Sequence, residues 1–464
     1  MIAARVFAAR RAALAAQVQA PVLLVGNGPR PRNFLANTLP FRQDSNFLYF
    51  TGCTAENAAL LLVDGVATLY LPEPAADDAL WHGEVPSLAD IGAQLGVDAV
   101  KPVRALADDA APHRGRLLTL AVPDERRTDL ARRLTGALLE YGRLPGADAL
   151  VDAIVALRRH LGPEELDEMR ATARVTAAAH RAAMAATRPG RTEAQVAALF
   201  DATCAAFGHT TAYHSIVTVR GEVLHNHGHG NPLEDGQLLL LDGGAEGPSG
   251  YASDVTRTWP VSGRFSAQQA AAYQAVLEAQ EAAIAICRPG TRYRDVHLAA
   301  ARVLTRWLKD EALVHGDVDT LVEDGAHAVF FPHGVGHLLG LDVHDMEAFG
   351  DRAAYAPGRA RSPQFGTGYL RLDLDLAPGH VVTIEPGFYV VPAILRDPTL
   401  RERFAGKVDF ARAQSWVGFG GIRIEDDVAI HDGPPEVLSA AIPKSIPALE
   451  ALVGTGGLTL PDSL

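Results

Sequence analysis

Three histidines, His333, His337 and His344, lie in the stretch FFPHGVGHLLGLDVHD among glycines and large aliphatic residues. An HxxxH pair followed by a third histidine reads first as a three-histidine metal cage, and the carboxylates elsewhere in the chain decide whether it is one. Two segments answer each other: LEDGQLLLLDGG (Leu233–Gly244) and LAPGHVVTIEPG (Leu376–Gly387) share a turn glycine, a mostly apolar strand, a carboxylate directly after it and a further glycine. Asp242 and Glu385 therefore occupy equivalent places. Each echo is followed by a second β-prone, acid-bearing segment, YASDVTRTWP with Asp254 and GIRIEDDVAI with Glu425. A charge at the end of a buried strand is costly unless it is paired. Arginines such as Arg257 and Arg423 would serve any one of these acids, as an ordinary structural ion-pair network. Four acids recurring in two pairs, with a histidine segment between them, are better compensated by divalent cations. One imidazole among four carboxylates suits manganese, cobalt, iron or zinc.

The elements that must position these residues are also duplicated. AAMAATRPGRTEAQV (Ala182–Val196) is echoed by AAIAICRPGTRYRDV (Ala282–Val296), so two helices end in the same Arg-Pro-Gly turn and each leads into another helix. Ala-rich helices with a Pro-Gly stop also recur by chance, but with the strand echo the pattern predicts two pseudo-symmetric halves, each presenting two carboxylates. Upstream, VLLVG, FLYFTG, AALLLVDG and VATLYLPE read as short β-rich runs broken by Gly, Pro and Asn, the signature of a small α/β domain. LGPEELDEMR places Pro163 and a cluster of acids at a helix start. The expected organisation is an α/β (α+β) chain with an N-terminal α/β domain over 1–160 and a pseudo-twofold domain over 161–464.

Composition narrows the class. With 464 residues the chain is too long for one ordinary core, which predicts two or three domains. A formal net charge of -13 argues against a nucleic-acid binder and for a soluble cytoplasmic protein. Cys53, Cys204 and Cys287 are odd in number and far apart, so buried reduced thiols are expected rather than disulfides or a thiolate zinc site. The N-terminal MIAARVFAARRAALAAQVQA reads as an ordinary amphipathic helix, since arginines interrupt any apolar signal core, and no run is long enough to span a membrane.

HGVGHLLGLDVHD resembles the signature of the proline peptidases of the pita-bread metallopeptidase family, which includes aminopeptidase P and prolidase. DGGAEGPSGYASDVTRTWP, TIEPGFY and GIRIEDD resemble its other metal-binding blocks in the same order, and FRQDSNFLYFTG and LWHGE resemble its N-terminal domain. The resemblance implies a small N-terminal domain followed by a pita-bread catalytic domain. It implies two divalent metal ions, manganese first with cobalt, iron or zinc as alternatives, held by Asp242, Asp254, His337, Glu385 and Glu425. It also implies a homodimer or homotetramer. The aspartate pair carries one residue more between its members than the family pattern, placed in the GAEGPSG turn. Asn46 stands where aminopeptidase P relatives often have an acid.

Two metal ions sharing carboxylates can hold a bridging water as hydroxide and polarise the scissile carbonyl. By resemblance, Glu385 doubles as proton shuttle, His333 and His344 hydrogen-bond the substrate carbonyl or developing oxyanion, and His225 contacts substrate. His227 and His229 read as solvated loop residues. Arg423, two residues before Glu425 on the same strand face, is expected to orient a ligand or Asp254. Tyr213, Tyr389 and Trp81 are candidate walls for a proline ring, with core packing an equal reading. The first expectation is a metalloaminopeptidase that removes the residue preceding proline from proline-containing peptides, for which FRQDSNFLYFTG speaks. The closest alternative is prolidase, limited to Xaa-Pro dipeptides. FGTGYLRLDLDLAPG and Arg371 speak for it, Arg371 matching the prolidase arginine that binds a dipeptide carboxylate. A non-catalytic peptide-binding relative is a third class, disfavoured because all five ligands are present.

Overall fold

The computed structural model describes residues 2–74, 78–84, 86–461 and 463. The chain divides into two compact units, Met1–His160 with Met346–Ala353, and Leu161–Asp345 with Ala354–Leu464. The Met346–Ala353 excursion lies inside the stretch that the sequence assigns to the second domain. Its Arg352 grips the first-unit helix Asp148–Arg158, with Nε on Asp152 Oδ1 at 2.5 Å and Nη1 on Asp148.

The first unit is built on a mixed sheet with strand order Ala99–Pro102, Val66–Leu71, Ala59–Val63, Val22–Val25, Leu118–Thr119. The three central strands are antiparallel and the two outer ones pair in parallel. Val22–Val25 is buried along its whole length, which explains its unbroken apolar run. FLYFTG departs from its expected strand. Ser45–Thr51 is a helix, entirely buried, whose Asp44 side chain accepts from Phe47 N at 2.9 Å and whose end is closed by Gly52 in the left-handed conformation (φ 64°). The cap and the glycine outweigh the β preference of the aromatics. Asn46 is buried in this helix and accepts from Arg158 Nη1 at 2.6 Å.

The second unit contains the two halves. Helices Pro163–Ala186 and Glu193–Ala206 are joined through Gly190 (φ 87°), and Ala267–Ala285 and Tyr293–Asp310 through Gly290 (φ 84°). In the first half Leu238–Asp242 is the central strand, antiparallel to both Thr256–Pro260 and Ile216–Thr218. In the second, Val381–Ile384 pairs with Asp426–Ala429, and Gly387–Tyr389 pairs with Gly421–Arg423. The four leucines of LLLLD are buried, each contributing about 1.5–3 kcal/mol of hydrophobic stabilisation, and they anchor the strand that delivers Asp242.

Candidate metal centre

Strand register brings the acids together. Asp242 pairs with Thr256, which places Asp254 just beyond the end of its strand; Ile384 pairs with Asp426, which sets Glu385 opposite Glu425. The histidine segment runs beside the strand Val381–Ile384, with Thr383 N donating to His337 O at 3.0 Å and Glu385 N to Val335 O at 2.8 Å. Gly336 makes this approach feasible, since a Cβ there would lie 2.2 Å from Thr383 O. His337 Nδ1 lies 3.0 Å from Leu338 O. Because a carbonyl only accepts, the proton sits on Nδ1 and the Nε2 lone pair faces Asp254 Oδ2 at 3.4 Å and Glu385 Oε1 at 3.9 Å.

Among the described residues, three overlapping groups have ligand atoms close enough to share a cation: Asp242, Asp254 and Glu425; His337, Glu385 and Glu425; and Asp254, His337 and His344. Glu425 belongs to two of them. Its Oε2 accepts from Thr256 Oγ1 at 2.6 Å, whereas its Oε1 is buried with no hydrogen-bond partner among the described residues. A buried carboxylate oxygen left unpaired is costly, and a cation is the partner this donor set fits. The charge states agree. Burial, and then the neighbouring Asp242, pushes Asp254 up to about 7. Burial pushes Glu385 up to about 8 although Arg423 opposes it, and burial and Asp254 hold Glu425 well above the usual carboxylate range. Tyr213 donates one proton between two acceptors, Asp242 Oδ1 at 2.6 Å and Asp254 Oδ1 at 2.5 Å. Acids this close, with so few positive partners, are arranged for divalent ions.

The cluster lines a cavity of about 910 Å³. His225, His333 and His344 line it, together with Arg361, Tyr369 and Arg371. Burial first, and then the Arg423 charge, drops His333 to about 3, so its ring is neutral at ordinary pH. Partial burial and Arg423 also lower His225.

Residues 167–432 match metallopeptidase family M24, and residues 7–114 match the aminopeptidase P N-terminal domain. The chain belongs to metallopeptidase family M24. Human Xaa-Pro dipeptidase is 31% identical over 451 residues, covering 94% of this chain and 89% of that protein. Xaa-Pro aminopeptidase of Haemophilus influenzae is 31% identical over 461 residues, covering 96% of each. Among solved structures, the Pseudomonas aeruginosa aminopeptidase PepP superposes with a TM-score of 0.79 at 31% identity, covering 97% of this chain and 98% of that one. Zinc-substituted Escherichia coli aminopeptidase P with product gives 0.79 at 28% identity, covering 97% and 98%. The fold is thus an aminopeptidase P-type N-terminal domain followed by a pita-bread catalytic domain, and the centre is an M24 dinuclear site with Asp, His and Glu as candidate ligands.

Within this M24 site several side chains stand differently from expectation. Of the two partners expected for Arg423, a ligand or Asp254, it takes the candidate ligand Asp242 (Nη2 to Oδ2, 2.5 Å), because the strand Gly421–Arg423 brings it to the end of LLLLD. Tyr213 lines the cavity, but its hydroxyl is committed to Asp242 and Asp254. Tyr389 is fully buried behind His333 and outside the cavity lining. Its hydroxyl accepts from Arg423 Nη1 at 3.1 Å and lies 2.9 Å from His333 Nε2. His333 Nδ1 is 2.8 Å from Gly334 O, so both ring nitrogens are engaged and donation to a substrate requires exchanging one of these bonds. The His344 ring lies 4.0 Å from that of His337, centre to centre and tilted by 45°, and comes within ligand range. His229 is not simply solvated: its Nε2 lies 3.0 Å from Ser215 O. His227 stacks on His214 at 5.1 Å in the cavity wall. Trp81 sits on the short helix Asp78–His82 of the first unit, 70% exposed, while the cavity lining comes wholly from the second unit.

Sequence reasoning missed the residues that hold the acids. Thr256 Oγ1 stands between Arg423 Nε (2.9 Å) and Glu425 Oε2. Asp427 accepts from Ser253 Oγ at 2.8 Å and from Asp254 N at 3.1 Å. The adjacent acids of GIRIEDD were the available signal, since three acids in succession after a buried strand exceed what a surface needs.

Proposed function

We propose that this protein is a dinuclear metallopeptidase that hydrolyses the Xaa-Pro bond and prefers Xaa-Pro dipeptides. Arg371 carries the choice: it lines the cavity that holds the carboxylate cluster, near enough for its charge to bear on Glu385, His333 and His225. A guanidinium there matches the C-terminal carboxylate of a dipeptide, which it would take bidentately. Within FRQDSNFLYFTG, which points to the aminopeptidase, Ser45–Thr51 is a buried, capped helix whose Asn46 is bonded to Arg158, a packing role for this part of the stretch.

Asp242, Asp254, His337, Glu385 and Glu425 would hold two divalent ions, manganese being the first expectation. Bound there, the ions supply Lewis acidity and lower the pKa of water. Glu385 is the proton carrier, its Oε1 toward His337 and its Oε2 toward His333 and Arg423. It takes the proton from water and returns it to the departing proline nitrogen. That nitrogen carries no hydrogen in the substrate, so the site must hold the peptide by its ends and its carbonyl rather than through this amide. His225 and His344 face the cavity to orient the carbonyl, and the Arg423–Tyr389–His333 chain fixes the wall beside it. The acidic net charge and three buried free cysteines support a cytoplasmic setting.

Kinetics on Ala-Pro, Ala-Pro-Ala and longer Xaa-Pro peptides test the proposal. A kcat/KM on the dipeptide at least about 10-fold above the tripeptide is expected, the worth of one charge-assisted contact. Equal or better cleavage of the longer peptides returns the choice to an Xaa-Pro aminopeptidase.

A further inference from the structure

An arginine that measures substrate length must itself be fixed, yet Arg371 follows a long connection with little regular structure, a single turn at Thr367–Tyr369 being its nearest element. This connection is nevertheless pinned. The carbonyl of Leu370, the residue before Arg371, accepts from the Tyr355 hydroxyl at 2.6 Å and from Arg361 Nη1 at 3.1 Å. The Arg361 guanidinium also lies 5.4 Å from the centre of the Tyr355 ring. On its other side Leu370 rests on Gly334, where a Cβ would come within 2.9 Å of Leu370 Cα and 3.2 Å of Tyr369 O. Further back, Gln364 Nε2 donates to Glu323 O at 2.7 Å, and a Cβ on Gly366 would lie 2.4 Å from Ala328 Cβ.

Gly334 directly follows His333, so the strap that carries Arg371 is seated on the backbone of the histidine segment that bounds the reaction centre. We infer that Gly334, Tyr355 and Arg361 form a seat that fixes Arg371 relative to that centre, and that these three are positioning residues for substrate length. This rests on the reading of Arg371 as the carboxylate partner. One misplaced ångström in a charge-assisted contact is enough to lose it, and an unpinned loop would wander further than that. The seat therefore lets a loop arginine discriminate a dipeptide from a longer chain.

The test compares Ala-Pro with Ala-Pro amide, which lacks the terminal carboxylate, on the metal-loaded enzyme. The readout is the ratio of the two KM values; a general structural defect moves both together and leaves the ratio alone. Tyr355→Phe and Arg361→Met are expected to raise KM for Ala-Pro relative to the amide by about 5–10-fold, part of the worth of a charge-assisted hydrogen bond. Arg361→Lys, which can still donate to Leu370 O, should recover part of that. Gly334→Ala should do the same as the first two or more. If Arg371→Gln collapses the ratio while Tyr355→Phe and Arg361→Met leave it intact, the seat is refuted and the dipeptide reading stands. If the unmodified enzyme shows no preference for Ala-Pro over its amide, the dipeptide reading itself fails.

Discussion

Removing metal from the carboxylate cluster should cost the larger unit stability in a pH-dependent way. Without a cation, burial and Asp242 raise Asp254 to about 7, burial raises Glu385 to about 8 against the pull of Arg423, and Glu425 is also held high by burial and Asp254. In the unfolded chain all three ionise near about pH 4. The folded, stripped protein thus retains protons that the unfolded chain has lost. Its stability is full below the unfolded values and declines as pH rises through the folded ones. Each retained proton costs about 1.4 kcal/mol per pH unit. In the loaded protein the same acids are ionised, so this decline is missing. Counting a single proton, the gap between loaded and stripped protein should widen by about 3 kcal/mol between about pH 6 and pH 8, or about 6 °C in thermal midpoint for a unit of this size. His180, His297 and His327, kept neutral by burial, titrate in the opposite sense. They do so equally in both samples, and the difference cancels them. Calorimetry of chelator-treated and manganese-reconstituted protein at fixed free metal gives the gap. A gap that stays constant or narrows as pH rises means the acids are already ionised without a cation, and the converging-charge reasoning is wrong.

Three substitutions probe the centre and its frame. Glu385→Gln should lower kcat by about 10²–10⁴-fold with the fold intact by circular dichroism, because the proton carrier is lost; full peptidase activity in this variant would remove Glu385 from the chemistry. Arg257→Met leaves Asp426, fully buried and bonded to Arg257 Nη2 at 2.7 Å, with Lys444 as its remaining cation. A loss of about 3 kcal/mol in denaturant unfolding is expected, and an unchanged midpoint would show the pair to be dispensable. Gly244→Ala puts a Cβ 1.7 Å from Ser253 O in the hairpin between Asp242 and Asp254. About 3 kcal/mol or more of destabilisation, with lower bound metal by elemental analysis, should follow; wild-type metal content would show that the hairpin relaxes without moving its acids.

What could be read from the sequence were features written locally. The echo of LLLLD and VVTIE, each followed by a second acid, carries its meaning within a dozen residues, and so does the Arg-Pro-Gly stop with its left-handed glycine. The Ser45–Thr51 helix was equally local but masked: four large apolar and aromatic side chains read as a strand, while the decisive signals were a single aspartate before them and a glycine after. Contacts across long separations were beyond reach. Arg423 and Asp242 stand 181 positions apart, and nothing in GIRIEDD says which of the first half's two acids, Asp242 or Asp254, its arginine will meet. Tyr389 likewise reads as an aromatic wall from composition alone. Only the pairing of Gly387–Tyr389 with Gly421–Arg423 turns it inward, where its hydroxyl links Arg423 to His333.

These long-range contacts have a common direction, and it bears on how a duplicated unit becomes an enzyme. Asp242 belongs to the first half and is neutralised by Arg423 of the second. Glu425 belongs to the second half and is held by Thr256 of the first, whose carbonyl also accepts from Glu425 N at 3.0 Å. Asp254 of the first half has its backbone N–H bound by Asp427 of the second, and Arg257 of the first pairs with Asp426 of the second. In each case the partner that orients an acid comes from the opposite half. Burial alone raises Asp426, yet Arg257 and Lys444 together hold it well below the usual carboxylate range, so its charge fastens the halves together. Asp254, Glu385 and Glu425 are pushed the other way and depend on cations. A single half would therefore keep little more than the Tyr213 hydroxyl to aim its acids, whereas two halves interlocked in this way build a frame of ion pairs around a pocket left deficient in positive charge. That deficit is what makes the centre a metal site rather than another buried salt-bridge network.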